Sequence, residues 1–196
     1  MKSFRICMQN IRKWGSNSRI KMCLIMSFLF VYSYISGMWK IIPLVGEKMN
    51  PWIFPFLFCW RFMKIVFMAP IVFIFCDAPF IDSNQSYVML RTSRKKWCFG
   101  QVLYIYAGSV IYAFVLFFST IIINIGHIKW GTSWGKVLGS AGTSTVLSTL
   151  GINYTTVKVP TIVIRYYTPA QAMFFSFLLM VLSFIFIGLL IYTVNV

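Results

Sequence analysis

WCFGQVLYIYAGSVIYAFVLFFSTIIINIGHI, residues 97–128, runs for 32 residues without a formal charge. A helix needs roughly 20 apolar residues to cross the hydrocarbon core of a bilayer, so one span fits inside this run with residues to spare. Directly upstream stand Arg91, Arg94, Lys95 and Lys96. Cations keep the adjoining end of a span in the cytoplasm, so the chain enters the membrane here from the cytoplasmic side. The fold class follows: an all-α, polytopic transmembrane helical bundle.

Composition agrees. With 59% hydrophobic residues, only 11% charged and a mean hydropathy of +0.79, the chain lies far from the mixture of a soluble domain. The net charge of +15 invites a nucleic-acid partner. The placement of the cations argues against one, because they gather at the ends of apolar segments, where they set topology and meet anionic headgroups. The expected partner of these charges is the lipid bilayer, with no nucleic acid.

Moving upstream, residues 77–101 form the long polar interval between two apolar segments, and residues 77–98 are expected to be a cytoplasmic loop. Before it, residues 53–76 are long enough to cross but contain Arg61 and Lys64 near the middle of the stretch. Three residues apart, they share one face of a helix. A charge at membrane depth normally faces a bundle interior or a water-filled cavity; otherwise the span begins lower and both side chains snorkel to the interface. A first span covers 22–39, and the six cations of residues 1–21 with no acid hold the N-terminus in the cytoplasm. That basic segment, with Phe4, Ile6, Met8, Ile11 and Trp14 interleaved, is either an amphipathic helix on the membrane surface or a solvated tail. Two crossings from a cytoplasmic N-terminus return residues 77–98 to the cytoplasm, so parity and charge agree.

Downstream, residues 126–169 form an outer section in which His127, Lys129, Lys136, Lys158 and Arg165 are spread through Gly, Ser and Thr. Gly131, Gly135 and Gly139 recur every four residues, which makes either a flat ridge on a helix or a pliable loop. Residues 137–157 lack charge but hold eight Ser or Thr, so they are a weak span or a re-entrant segment. The last span is expected at about 170–194, started by Thr168 and Pro169. With the third at about 99–125, four spans are visible. The chain closes on Asn195 and Val196 without the cation that normally stops a span, and it is expected to be the beginning of a longer protein.

The chemical inventory is thin. Glu47, Asp77, Asp82 and His127 are the only acids and histidine, and this topology divides them between the two sides of the membrane. The five cysteines are odd in number and widely spaced, without a CxxC pair, so they make neither a disulfide framework nor a zinc site. No GxxxxGK[ST] phosphate loop occurs. No catalytic, cofactor or metal residue is expected, and the chain is not expected to be an enzyme. What remains is the cytoplasmic interval, where Asp82, Ser83 and Asn84 can start a short helix and Phe80, Ile81, Tyr87, Val88, Met89 and Leu90 mix with polar residues. Such an element can dock a soluble partner; an ordinary topogenic loop would be equally basic.

The stretch FIFCDAPFIDSNQSYVMLRTSRKKWCFGQVLYI, together with YYTPAQAMFFSFLLMVLSFIFIGLLIYTVNV and the basic N-terminal segment, resembles the permease subunits of bacterial type-two ABC exporters, particularly small Gram-positive ones. The resemblance implies part of a six-span permease in the cell membrane, with an interfacial N-terminal helix. It implies partnership with an ABC ATP-binding subunit, which carries ATP and Mg, and with a second permease subunit in a homo- or heterodimer. Carried over residue by residue, Asp82, Tyr87, Leu90 and Arg91 would dock the ATPase, and Arg61 and Lys64 would line or flank the translocation path. The alternative from another class is a non-transporting membrane scaffold or insertase, with Arg61 and Lys64 in a basic intramembrane groove. The outer section is longer than the connection usual in that family.

Overall fold

The computed structural model describes residues 2–79, 93–143 and 157–195. The described residues are all-helical apart from one isolated parallel bridge between Met49 and Ile128. The helices are α1 (Lys2–Arg12), α2 (Ser18–Ser36), α3 (Ile42–Val45), α4 (Arg61–Phe75), α5 (Arg94–Asn124), α6 (Gly135–Gly142), α7 (Thr161–Tyr166) and α8 (Pro169–Asn195).

Three helical stretches among the described residues are long and apolar enough to cross a membrane: Ser18–Val45, Arg94–His127 and Pro169–Asn195. The first joins α2 and α3 through a 3-10 turn at Gly37–Lys40. Asn17 caps its start, accepting the backbone N–H of Arg19 at 3.0 Å. Gly46, at φ +70, ends it in the left-handed region that favours glycine. The last begins with a reciprocal cap, in which the Gln171 N–H donates to Thr168 Oγ1 and the Thr168 N–H donates to Gln171 Oε1.

The stretch expected to be a span at 53–76 is not one helix. It is a 3-10 segment, Phe54–Phe58, followed by the 15 residues of α4. Pro55 stands in the first turn of the 3-10 segment, where its missing N–H is tolerated; the helical backbone lapses at Cys59 and Trp60, and apolar side chains fill the interior around the break. Phe54, Phe56 and Leu57 are completely buried. Arg61 and Lys64 stand in the first turn of α4, and both are exposed.

The chain divides into two compact units, one made of Met1–Met26, Met68–Phe114 and Met180–Val196, the other of Ser27–Phe67 and Val115–Leu179. In the first, Tyr104 and Phe75 meet edge to face at 5.8 Å, and Tyr112 lies 5.2 Å from Phe184. Gly188 permits this packing, since a Cβ there would come within 2.6 Å of Ile105 Cγ2.

In the second unit, Phe54 lies 5.4 Å from Phe117 and 6.2 Å from Phe177, and Phe56 lies 5.4 Å from Trp134. Here residues 127–136 are strapped to residues 47–52. Met49 N–H donates to His127 O at 3.0 Å, Lys129 N–H to Met49 O at 2.9 Å, and Trp52 Nε1 to Gly131 O at 2.8 Å. Lys136 pairs with Glu47 at 2.7 Å. The glycine ridge does not form on one helix: Gly131 lies outside α6, and Gly131 and Gly135 both lie against the Asn50 side chain. His127 packs on Trp39 with ring centroids 5.0 Å apart. Of residues 137–157, α6 ends at Gly142 and 144–156 lie outside the described residues.

Candidate functional site

The first unit gathers the two flanks of the polar interval. On the entry side, Arg19 reaches Asp77 with both terminal nitrogens: Nη1 donates to Oδ1 at 3.3 Å and Nη2 forms an ion pair with Oδ2. Asn195, at the end of α8, donates its Nδ2 to Cys76 O at 3.3 Å and to Ala78 O at 2.8 Å. Residues 76–78 are thus tied by side chains from α2 and α8. The hydrogen bond from Arg19 holds the Asp77 carboxyl below its ordinary range, against the opposing effect of partial burial. Both side chains are more than a third exposed, so the pair fixes geometry more than it stabilises the fold.

On the exit side, α1 lies along the start of α5. Ser3, Ile6, Cys7 and Asn10 fall on one helical face by their spacing, and Ile6, Cys7 and Asn10 are buried. Ser3 Oγ donates to Lys96 O at 2.9 Å, Asn10 Nδ2 to Gln101 Oε1 at 3.1 Å, and Trp14 Nε1 to Tyr104 Oη at 2.8 Å. A Cβ at Gly100 would meet Ile6 Cβ at 3.0 Å, so glycine sets how closely the two helices approach. Within residues 1–21, Lys2–Arg12 form a helix, and one face of it is covered by protein. The Asn10–Gln101 bond is buried, with Gln101 only 2% exposed. A buried polar pair costs stability in any alignment that leaves either group unbonded, so it fixes the register of α1 on α5.

Asp82, Tyr87, Leu90 and Arg91, expected to dock a partner, lie outside the described residues. Arg61 and Lys64 belong to the second unit. They share the first turn of α4, and the ammonium of Lys158 stands 5.8 Å from the ring centroid of Trp60, the residue before Arg61. The two described carboxylates, Asp77 and Glu47, are each engaged by a cation. What sequence reasoning missed was the anchoring set: Arg19, Asn195, and the Asn10–Gln101 and Trp14–Tyr104 pairs. The available signal was an amide at helical spacing from apolar residues, Asn10 after Ile6 and Cys7, and Gln101 within an uncharged apolar run. No protein-family model, curated protein or solved structure matches the chain.

Proposed function

We propose that this chain is the membrane-spanning permease subunit of an ATP-driven type-two ABC exporter. It would form the translocation path with a second permease subunit in the cell membrane, its N-terminus in the cytoplasm. ATP and Mg would bind a separate ATP-binding subunit, which pushes on residues 77–98 through Asp82, Tyr87, Leu90 and Arg91. The observation that carries the reading is the anchoring of both flanks of that interval, by Arg19 and Asn195 before it and by α1 after it. A coupling segment transmits force only if its ends are fixed to the elements it must move.

The fourth crossing that this topology requires would come from Phe54–Phe58 and Arg61–Phe75 in two pieces. At about 2 Å per 3-10 residue and about 1.5 Å per α-helical residue they reach roughly 30 Å, the thickness of the core. Non-helical backbone at membrane depth is tolerated where protein covers it, and the side chains of the 3-10 segment from Phe54 to Leu57 are buried. Arg61 and Lys64, with Lys158 nearby, would favour an anionic or amphiphilic cargo. The same exposed cations favour the second reading, a scaffold or insertase whose basic groove receives a client.

Copurification of the tagged chain in mild detergent, with identification of its subunits, separates the two. A stoichiometric ATP-binding subunit supports the permease. Recovery of the chain without one, from cells that express its neighbouring genes, overturns it.

A further inference from the structure

We propose that residues 129–134 and α7 lie in the headgroup layer of the bilayer rather than in water, with Trp130, Ile162, Tyr166 and Tyr167 at the boundary with the acyl chains and Lys129 and Arg165 at the phosphates. The second unit brings ends of the three long helical stretches together here. The strap between Met49 and His127 joins the end of Ser18–Val45 to the end of Arg94–His127. Trp134 Nε1 donates to Tyr167 O at 2.9 Å, two residues before α8 begins.

The chain itself limits how far Tyr167 can rise above α8. Two residues span no more than about 7 Å, roughly the thickness of one headgroup layer. The Tyr167 ring meets Phe175 of α8 edge to face at 6.3 Å. Phe174 and Phe175 are exposed on a helix apolar enough to cross a membrane, so the patch continues into a surface suited to acyl chains. α7 turns one side to α6, where a Cβ at Gly142 would come within 3.3 Å of Ile164 Cδ1. Its other side leaves Ile162 and Tyr166 exposed, one turn apart, with the Arg165 guanidinium 5.9 Å from the Tyr166 ring centroid. Trp130, 75% exposed, stands beside Lys129, which is also exposed. Rings that are apolar with one polar edge, interleaved with long cations, match the change from headgroup to acyl chain at a bilayer surface. In water the same apolar area would stay hydrated with nothing gained in return. A soluble partner would cover the rings but would not explain their continuity with Phe175. The inference needs only that α5 and α8 cross the bilayer, and it is independent of the exporter reading.

The test is tryptophan fluorescence of the full chain in phosphatidylcholine vesicles. The quenchers are iodide, present on both sides of the membrane, and phosphatidylcholine brominated near either the headgroup end or the methyl end of its acyl chains. Two reporters are read: the emission lost in Trp130→Phe, and the emission gained in Tyr166→Trp, which samples α7 even where the first substitution disturbs the fold. For both, bromine near the headgroup end is expected to quench several-fold more strongly than iodide, and more strongly than bromine near the methyl end. Emission quenched by iodide and by neither brominated lipid overturns the proposal in favour of a water-facing segment. Stronger quenching by the deep bromine than by the shallow one overturns it in favour of a segment inserted into the hydrocarbon core. Shielding from all three quenchers overturns it in favour of a protein partner.

Discussion

Asn195 donates its side-chain amide to the carbonyl oxygen of Ala78 at 2.8 Å, joining residues 117 apart in sequence. The same nitrogen reaches Cys76 O at 3.3 Å. One side chain at the end of α8 thereby satisfies two carbonyls just past the end of α4, at the entrance to the polar interval. Asn195→Ala is expected to destabilise the protein by about 1 kcal/mol, the net worth of a typical intramolecular hydrogen bond. Asn195→Asp should cost at least as much, since a carboxylate would face two acceptors. Thermal or chemical unfolding in detergent measures both.

The Asn10–Gln101 bond is buried and joins α1 to α5. Replacing either residue with alanine should cost about 1–3 kcal/mol, because its partner is left buried and unbonded. A double-mutant cycle should show coupling of about 0.5–3 kcal/mol. Additive single effects would mean that the two amides do not interact.

Acid should loosen the entrance to the interval. The folded pKa of Asp77 is depressed below its ordinary 3.8, chiefly by the hydrogen bond from Arg19. The pair therefore stabilises the folded state at pH values above 3.8, and that contribution is lost as pH falls below 3.8 through the depressed value. Glu47, lowered by its hydrogen bond from Lys136, follows the same sign from its ordinary 4.5. Asp77→Asn should remove the Asp77 part of the acid-dependent loss while leaving the Glu47 part, as read from unfolding midpoints between neutral pH and about pH 3.

Two glycines should resist substitution for different reasons. Gly188→Leu drives a side chain into Ile105 and Phe75 and should cost about 1–3 kcal/mol or more by overpacking. Gly135→Ala meets Asn50 at 3.1 Å on a backbone at φ +73, and should cost about 1–2 kcal/mol from the left-handed conformation alone. Gly139→Ala, where nothing lies within 4 Å, is the control and should be neutral or slightly stabilising in α6.

Length and charge made three helices legible. The expected spans at 22–39, 99–125 and 170–194 fall within Ser18–Val45, Arg94–His127 and Pro169–Asn195, because an uncharged run of sufficient length has few other solutions. The first begins earlier than expected because Asn17 caps a helix that starts at Ser18, whereas an uncharged run can be counted only after Lys21. The break within 53–76 falls at Cys59 and Trp60, where composition sees only apolar residues and gives no sign that the helix lapses. The long-range contacts were not legible. Asn10 and Gln101 are 91 residues apart, and no local pattern shows that two amides on separate helices will meet. The strap between residues 47–52 and 127–136 likewise depends on glycines whose role becomes visible only beside Asn50.

The central claim is that residues 77–98 take force from a separate ATP-binding subunit. Its most direct test is Tyr87→Asp combined with Leu90→Asp in the tagged full chain, with membrane insertion and ATPase copurification measured together. The account predicts unchanged insertion and loss of the ATP-binding subunit. Copurification that persists in the doubly substituted chain would contradict it.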